Sequence, residues 1–162
     1  MKKTLPILLL SLASLAPAAQ AQEVYNFVMD NATRTLDNPS SNFTQTRIAQ
    51  FKRTALTYLR SKAFETMPQV TNEFLNTQAY YLSEFLSTFF SQILRDSKLS
   101  AEVRKQKIFL FMDASVSNPL FSDPDKETTE SYINEGSELT PFSLDTDWQK
   151  AYLAAKSKLE DN

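Results

Sequence analysis

Glycine occurs once in this chain, at Gly136, and no other feature narrows the fold as sharply. Tight hairpins draw on glycine for backbone angles that other residues adopt only at a cost, so a sheet-rich fold would lack its turns here. The balance shifts to helices. The same scarcity removes glycine-rich phosphate loops and the dinucleotide fingerprint, which need several glycines at fixed spacing. Cysteine and histidine are absent altogether. Disulfides, thiolate and imidazole nucleophile pairs, and the zinc sites built from those ligands go with them. Catalysis, if any, would have to draw on carboxylate pairs, lysine, tyrosine or a bound metal.

Lys2 and Lys3 precede an apolar run from Leu5 to Ala16, followed by Pro17 and the small-residue sequence Ala19-Gln20-Ala21. This reads as a secretory signal peptide over residues 1–21, cleaved after Ala21. The run is shorter than the roughly 20 apolar residues of a spanning helix, so an integral membrane protein is not expected. Residues 22–162 are expected to form one helical domain in the periplasm or outside the cell, stabilised by packing alone.

Helical spacing recurs along that domain. Residues 23–36 place Val24, Phe27, Val28 and Leu36 near one side. Asn42 with Gln45 three residues on forms a capping box for a second helix, in which Ile48, Phe51, Ala55, Leu56 and Leu59 share a face. That helix should end near Thr66, because Pro68 disfavours the helical region for Met67. A third helix, Gln69 to Asp96, carries Phe74, Tyr81, Leu82, Phe85, Leu86, Phe89, Phe90, Ile93 and Leu94 over more than half its circumference. An arc that wide implies neighbours on several sides and a central position. Ser100 caps a fourth helix whose Ile108–Met112 run should be buried on most sides. A last helix follows the spacing of Trp148, Ala151, Tyr152, Ala155 and Leu159, with Thr146 and Gln149 as its capping box. The expected fold class is all-α, a single-domain bundle of about six helices with a loop-rich acidic C-terminal third.

The carboxylates need a separate test. In DPDKETTE, Asp123, Asp125 and Glu127 match the first three ligand positions of a helix-loop-helix calcium loop. Position 6 is Thr128 rather than glycine and position 12 is Asn134 rather than glutamate, so both the turn and the closing ligand are missing. A helix start explains the residues better: Asp123 as N-cap, Pro124 at the first helical position, acids in the first turn, and Gly136 as the stop. No metal, cofactor or catalytic residue is assigned. Two carboxylate arrangements stay open as enzyme sites, Glu84 on the aromatic helix and the pair Asp145 and Asp147. The aromatic face of Tyr81, Phe85 and Phe89 could alternatively line an apolar-ligand cavity.

Charge is divided along the chain. Arg47 to Lys107 holds ten basic and five acidic residues, whereas Asp113 to Asp147 holds nine acidic residues and one basic, Lys126. This balance speaks against nucleic-acid binding, which needs clustered Lys and Arg. The acidic segment suggests a non-catalytic, protein-binding or envelope-associated module, with Glu130, Glu135, Glu138 and Asp145 as candidate contacts to a protein partner in the cell envelope. Its loop from Ser137 to Asp145 is the longest stretch expected to be exposed. The stretches FTQTRIAQFKRTAL, FMDASVSNPLF and SELTPFSLDTDWQKA resemble segments of short, uncharacterised exported proteins of Bacteroides-type bacteria. The resemblance implies an exported location and assigns no activity or site residue.

Overall fold

The structure, a computed structural model, describes residues 23–93, 98–123, 125–126 and 142–160. Among the described residues every regular element is a helix: α1 (Glu23–Asp37), α2 (Phe43–Thr66), α3 (Asn72–Ile93), α4 (Ala101–Val116) and α5 (Trp148–Glu160). Of the expected sixth helix, the described residues hold only the turn that would open it. The Asp123 carboxylate accepts the Asp125 N–H at 2.8 Å and its carbonyl accepts the Lys126 N–H at 3.2 Å, as an N-cap does. Glu127 and the stop at Gly136 lie outside the described residues.

α3 is the hub, touching each of the other four helices. Its Phe85 and Phe89 anchor an aromatic cluster in which most rings meet edge to face. Phe85 meets Phe111 at 5.3 Å, Phe142 at 5.1 Å and Trp148 at 5.5 Å, while Phe89 meets Phe142 at 5.0 Å. Phe51 of α2 closes the cluster against Phe142 and Trp148. Such contacts add about 0.5–1.5 kcal/mol each beyond area burial. The face of Tyr81, Phe85 and Phe89 is therefore filled by protein rather than by a cavity: Phe85 and Phe89 are buried, and Tyr81 packs on Tyr152.

Several boundaries are set by side chains. Asn42 and Gln45 form the reciprocal box at the start of α2, each accepting the other's backbone N–H at 2.9 Å. Ser100 accepts the Val103 N–H at the start of α4. α3 begins at Asn72 rather than Gln69 because Thr71 caps it, its hydroxyl accepting the Phe74 N–H at 3.1 Å. α5 likewise has a different cap from the expected one. Asp147 takes the Lys150 N–H on its carboxylate and the Ala151 N–H on its carbonyl, whereas Thr146 turns inward.

Two aromatic residues lie elsewhere than their spacing suggested. The buried face of α1 is Tyr25, Val28 and Ala32, and Phe27 is 67% exposed. Tyr25 fixes that rotation: its N–H donates to Asn76 of α3 at 2.8 Å and its hydroxyl to the Leu56 carbonyl of α2 at 3.2 Å. In α4, Phe109 is exposed while Phe111 is buried. Two residues apart on a helix is about 200°, so a consecutive apolar run cannot all face one neighbour. Among the described residues no helix is long and apolar enough to cross a membrane.

Candidate functional site

Two regions concentrate polar chemistry, one on each side of α3. The first is the segment 142–147, which has no regular structure and yet is buried at every residue. Part of the loop expected to be exposed, 142–145, is thus interior. A buried irregular segment must find partners for its backbone polar groups, and neighbouring elements provide them here. The Ser115 hydroxyl of α4 accepts the Ser143 N–H at 3.1 Å and shares a hydrogen bond with the Thr146 hydroxyl at 2.8 Å. Gln78 of α3 donates from its amide nitrogen to the Asp147 carboxylate, and its amide oxygen accepts the Trp148 N–H at 2.8 Å.

Asp145 is the centre of this region. It is fully buried, and its carboxylate accepts the N–H groups of Leu120 at 3.0 Å, Phe121 at 2.8 Å and Asp123 at 2.9 Å. Ser122, at φ 54°, turns the intervening backbone through the left-handed region, so successive N–H groups converge as in an anion-binding nest. The anion is the chain's own side chain. Asp145 therefore offers no surface carboxylate, and the other three candidate contacts, Glu130, Glu135 and Glu138, lie outside the described residues.

The other acids are similarly engaged. Asp123 is buried and accepts the Tyr58 hydroxyl, with Lys62 at 4.0 Å. The phenol, the Asp125 N–H and Lys62 together hold the Asp123 carboxyl below its ordinary value. Burial and the donated hydrogen bond push the Tyr58 phenol well above its own. Asp145 and Asp147 do not converge on one point: the first faces the 120–123 backbone, the second Gln78 and Lys150. No group of three or more Asp and Glu among the described residues could hold a metal ion.

The second region is a groove between α1, α2 and α3. One part encloses about 410 Å³ beside Phe27, Val28, Ala49, Lys52, Tyr80 and Ser83. A further part of about 350 Å³ continues past Leu86, Phe90 and Ser91, sharing Ile48, Lys52 and Ser83 with the first. Both volumes fall in the ~300–1,000 Å³ range of small-molecule sites. Lys52 is the one charged side chain among the residues lining the two parts. Burial pushes its amine below the ordinary lysine value, and the negative charge of half-buried Glu84 partly offsets this. The Ser83 hydroxyl is buried and has no hydrogen-bond partner among the described residues.

The aromatic residues at this groove differ from those exposed elsewhere. Phe43, Phe64 and Phe109 each lie beneath a cation one turn away on the same helix, Arg47, Arg60 and Lys105 respectively. No cation covers Phe27 or Tyr80 among the described residues, although they are 67% and 50% exposed. Sequence reasoning passed over this region, though two signals were present. Lys52 interrupts the stripe Ile48, Lys52, Leu56, and Ser83, Ser87 and Ser91 repeat every four residues on α3. No protein-family model matches the chain, and comparison with curated proteins and with solved structures gives no significant match, so its function has to be argued from these two regions.

Proposed function

We propose that this chain is a non-catalytic, exported binding module that engages a component of the cell envelope through the groove between α1, α2 and α3. The observation that carries the reading is the pairing of uncovered apolar surface at Phe27 and Tyr80 with a concave space of binding-site size. The described aspartates of the acidic segment support it indirectly. Asp123, Asp145 and Asp147 hold backbone and side-chain donors in place, leaving them no evident role as an acid-base pair. The leader-like pattern of residues 1–21 motivates the exported compartment.

The test uses an uncharged, environment-sensitive apolar dye. The wild-type protein should bind it and brighten it, and the double variant Phe27→Asp with Tyr80→Ser should lose the signal while its thermal midpoint stays within a few degrees. Equal dye binding by the two proteins would remove the groove as the working surface. Export is tested by fractionating cells: recovery of the chain in the cytoplasm with residues 1–21 intact would reject that part.

A further inference from the structure

The groove is chemically lopsided. Its walls are mostly apolar, and its charge resides in Lys52 alone, at the point where the two parts meet. Among the described residues no carboxylate comes within ion-pair distance of the Lys52 ammonium. Glu84 offsets the burial of this cation only in part and at longer range, so a ligand anion in direct contact would relieve it further. Ser83 lines both parts of the groove, and its buried, unpartnered hydroxyl becomes a donor to the same anion by rotating toward it.

We propose that the groove binds a free single-chain aliphatic carboxylate, its acid group at Lys52 and Ser83 and its hydrocarbon chain along the apolar wall toward Phe27 and Tyr80. This rests on the groove being the binding face. One ammonium and one hydroxyl match the two oxygens and single charge of a carboxylate. A phosphate or phosphodiester head carries more acceptor oxygens and ordinarily meets arginines, and no arginine lines either part of the groove. A cationic amphiphile would be repelled by Lys52. Burial lowers the proton affinity of the Lys52 amine, Glu84 offsets this in part, and a bound anion would raise it.

Calorimetric titration of the purified protein with decanoate, decanol and decyltrimethylammonium, each below its micellar concentration, tests the assignment. Decanoate should bind about tenfold to hundredfold more tightly than decanol, the span expected of charge-assisted hydrogen bonds, and the ammonium compound should bind weakest. Lengthening the acid from eight to ten carbons should tighten binding by about fourfold per methylene. Lys52→Met should abolish the preference for the acid over the alcohol, and Lys52→Arg should retain it. Equal affinity for acid and alcohol, or a preference that survives Lys52→Met, overturns the carboxylate assignment. Sedimentation with phosphatidylglycerol vesicles in the absence of decanoate binding also overturns it, in favour of a membrane surface. Failure of the neutral dye to bind would instead defeat the groove itself, so the two failures are distinguishable.

Discussion

The two faces of α3 handle charge in opposite ways. On the side of residues 118–123 and 142–148, buried carboxylates are matched with donors and Asp145 alone takes three N–H groups, although the Ser143 hydroxyl and the Trp148 indole N–H have no partner among the described residues. On the groove side, Lys52 is half-buried without an ion pair among the described residues, Ser83 is unpartnered, and two large aromatic residues are left uncovered. Matched polar groups rigidify, whereas unmatched ones cost stability unless something else answers them. The contrast separates carboxylates that hold the fold from a half-buried cation with no ion pair among the described residues.

The sharpest way to break that separation is to remove the internal anion. Asp145→Ala strands three backbone donors and should lower unfolding free energy by about 3–5 kcal/mol in denaturant titration. A loss under about 1 kcal/mol would mean the nest does not hold the fold. Next in size, Gln78→Leu removes the link between α3 and the start of α5 and should cost about 2–3 kcal/mol. If Gln78 instead proves neutral, α5 is positioned by Trp148 packing alone.

A pH titration separates the faces by sign. Tyr58 has a raised value in the fold, so its contribution is fully present below the ordinary phenol value of about 10 and is lost as pH climbs beyond it. Asp123 has a lowered value, so its contribution is present above the ordinary carboxyl value of about 4 and is lost as pH falls. Lys52 runs the other way on the alkaline side. An amine lowered in the fold penalises stability while protonated, and that penalty fades as pH rises through its folded value. Thermal midpoints across pH should therefore decline less above about pH 10 in Tyr58→Phe, the remainder arising from Tyr25, whose phenol burial also raises, and keep the full decline in Lys52→Met. The smallest effects are expected at Ser122 and Lys52 themselves. Ser122→Gly relieves the left-handed backbone and should stabilise by about 0.5–1 kcal/mol. Lys52→Met should change stability by less than about 1 kcal/mol, since an apolar side chain replaces a poorly solvated charge.

Local signals were legible where a residue's partner lies within one helical turn. The Asn42–Gln45 box, the Ser100 cap, the end of α2 near Thr66 and the central place of α3 all follow from spacing and agree with the structure. Asp123 as a cap belongs with them. What spacing could not reveal depends on contacts far apart in sequence. Phe27 is exposed because Tyr25 is tied to Asn76 and Leu56, residues 51 and 31 positions away. Asp145 is interior because its donors lie 22 to 25 residues earlier. The groove is lined by residues of three helices, and no single helix encodes it.

Trp148 has 0% exposure, wedged between Phe51 and Phe85, and it follows both of them in the chain. A growing polypeptide therefore has an open slot among its central rings, and an unanswered set of amide donors at 120–123, until residues 142–148 have been synthesised. Native closure must await that segment, and a version truncated ahead of Phe142 should collect as a loosely packed, protease-sensitive species rather than as a smaller native protein.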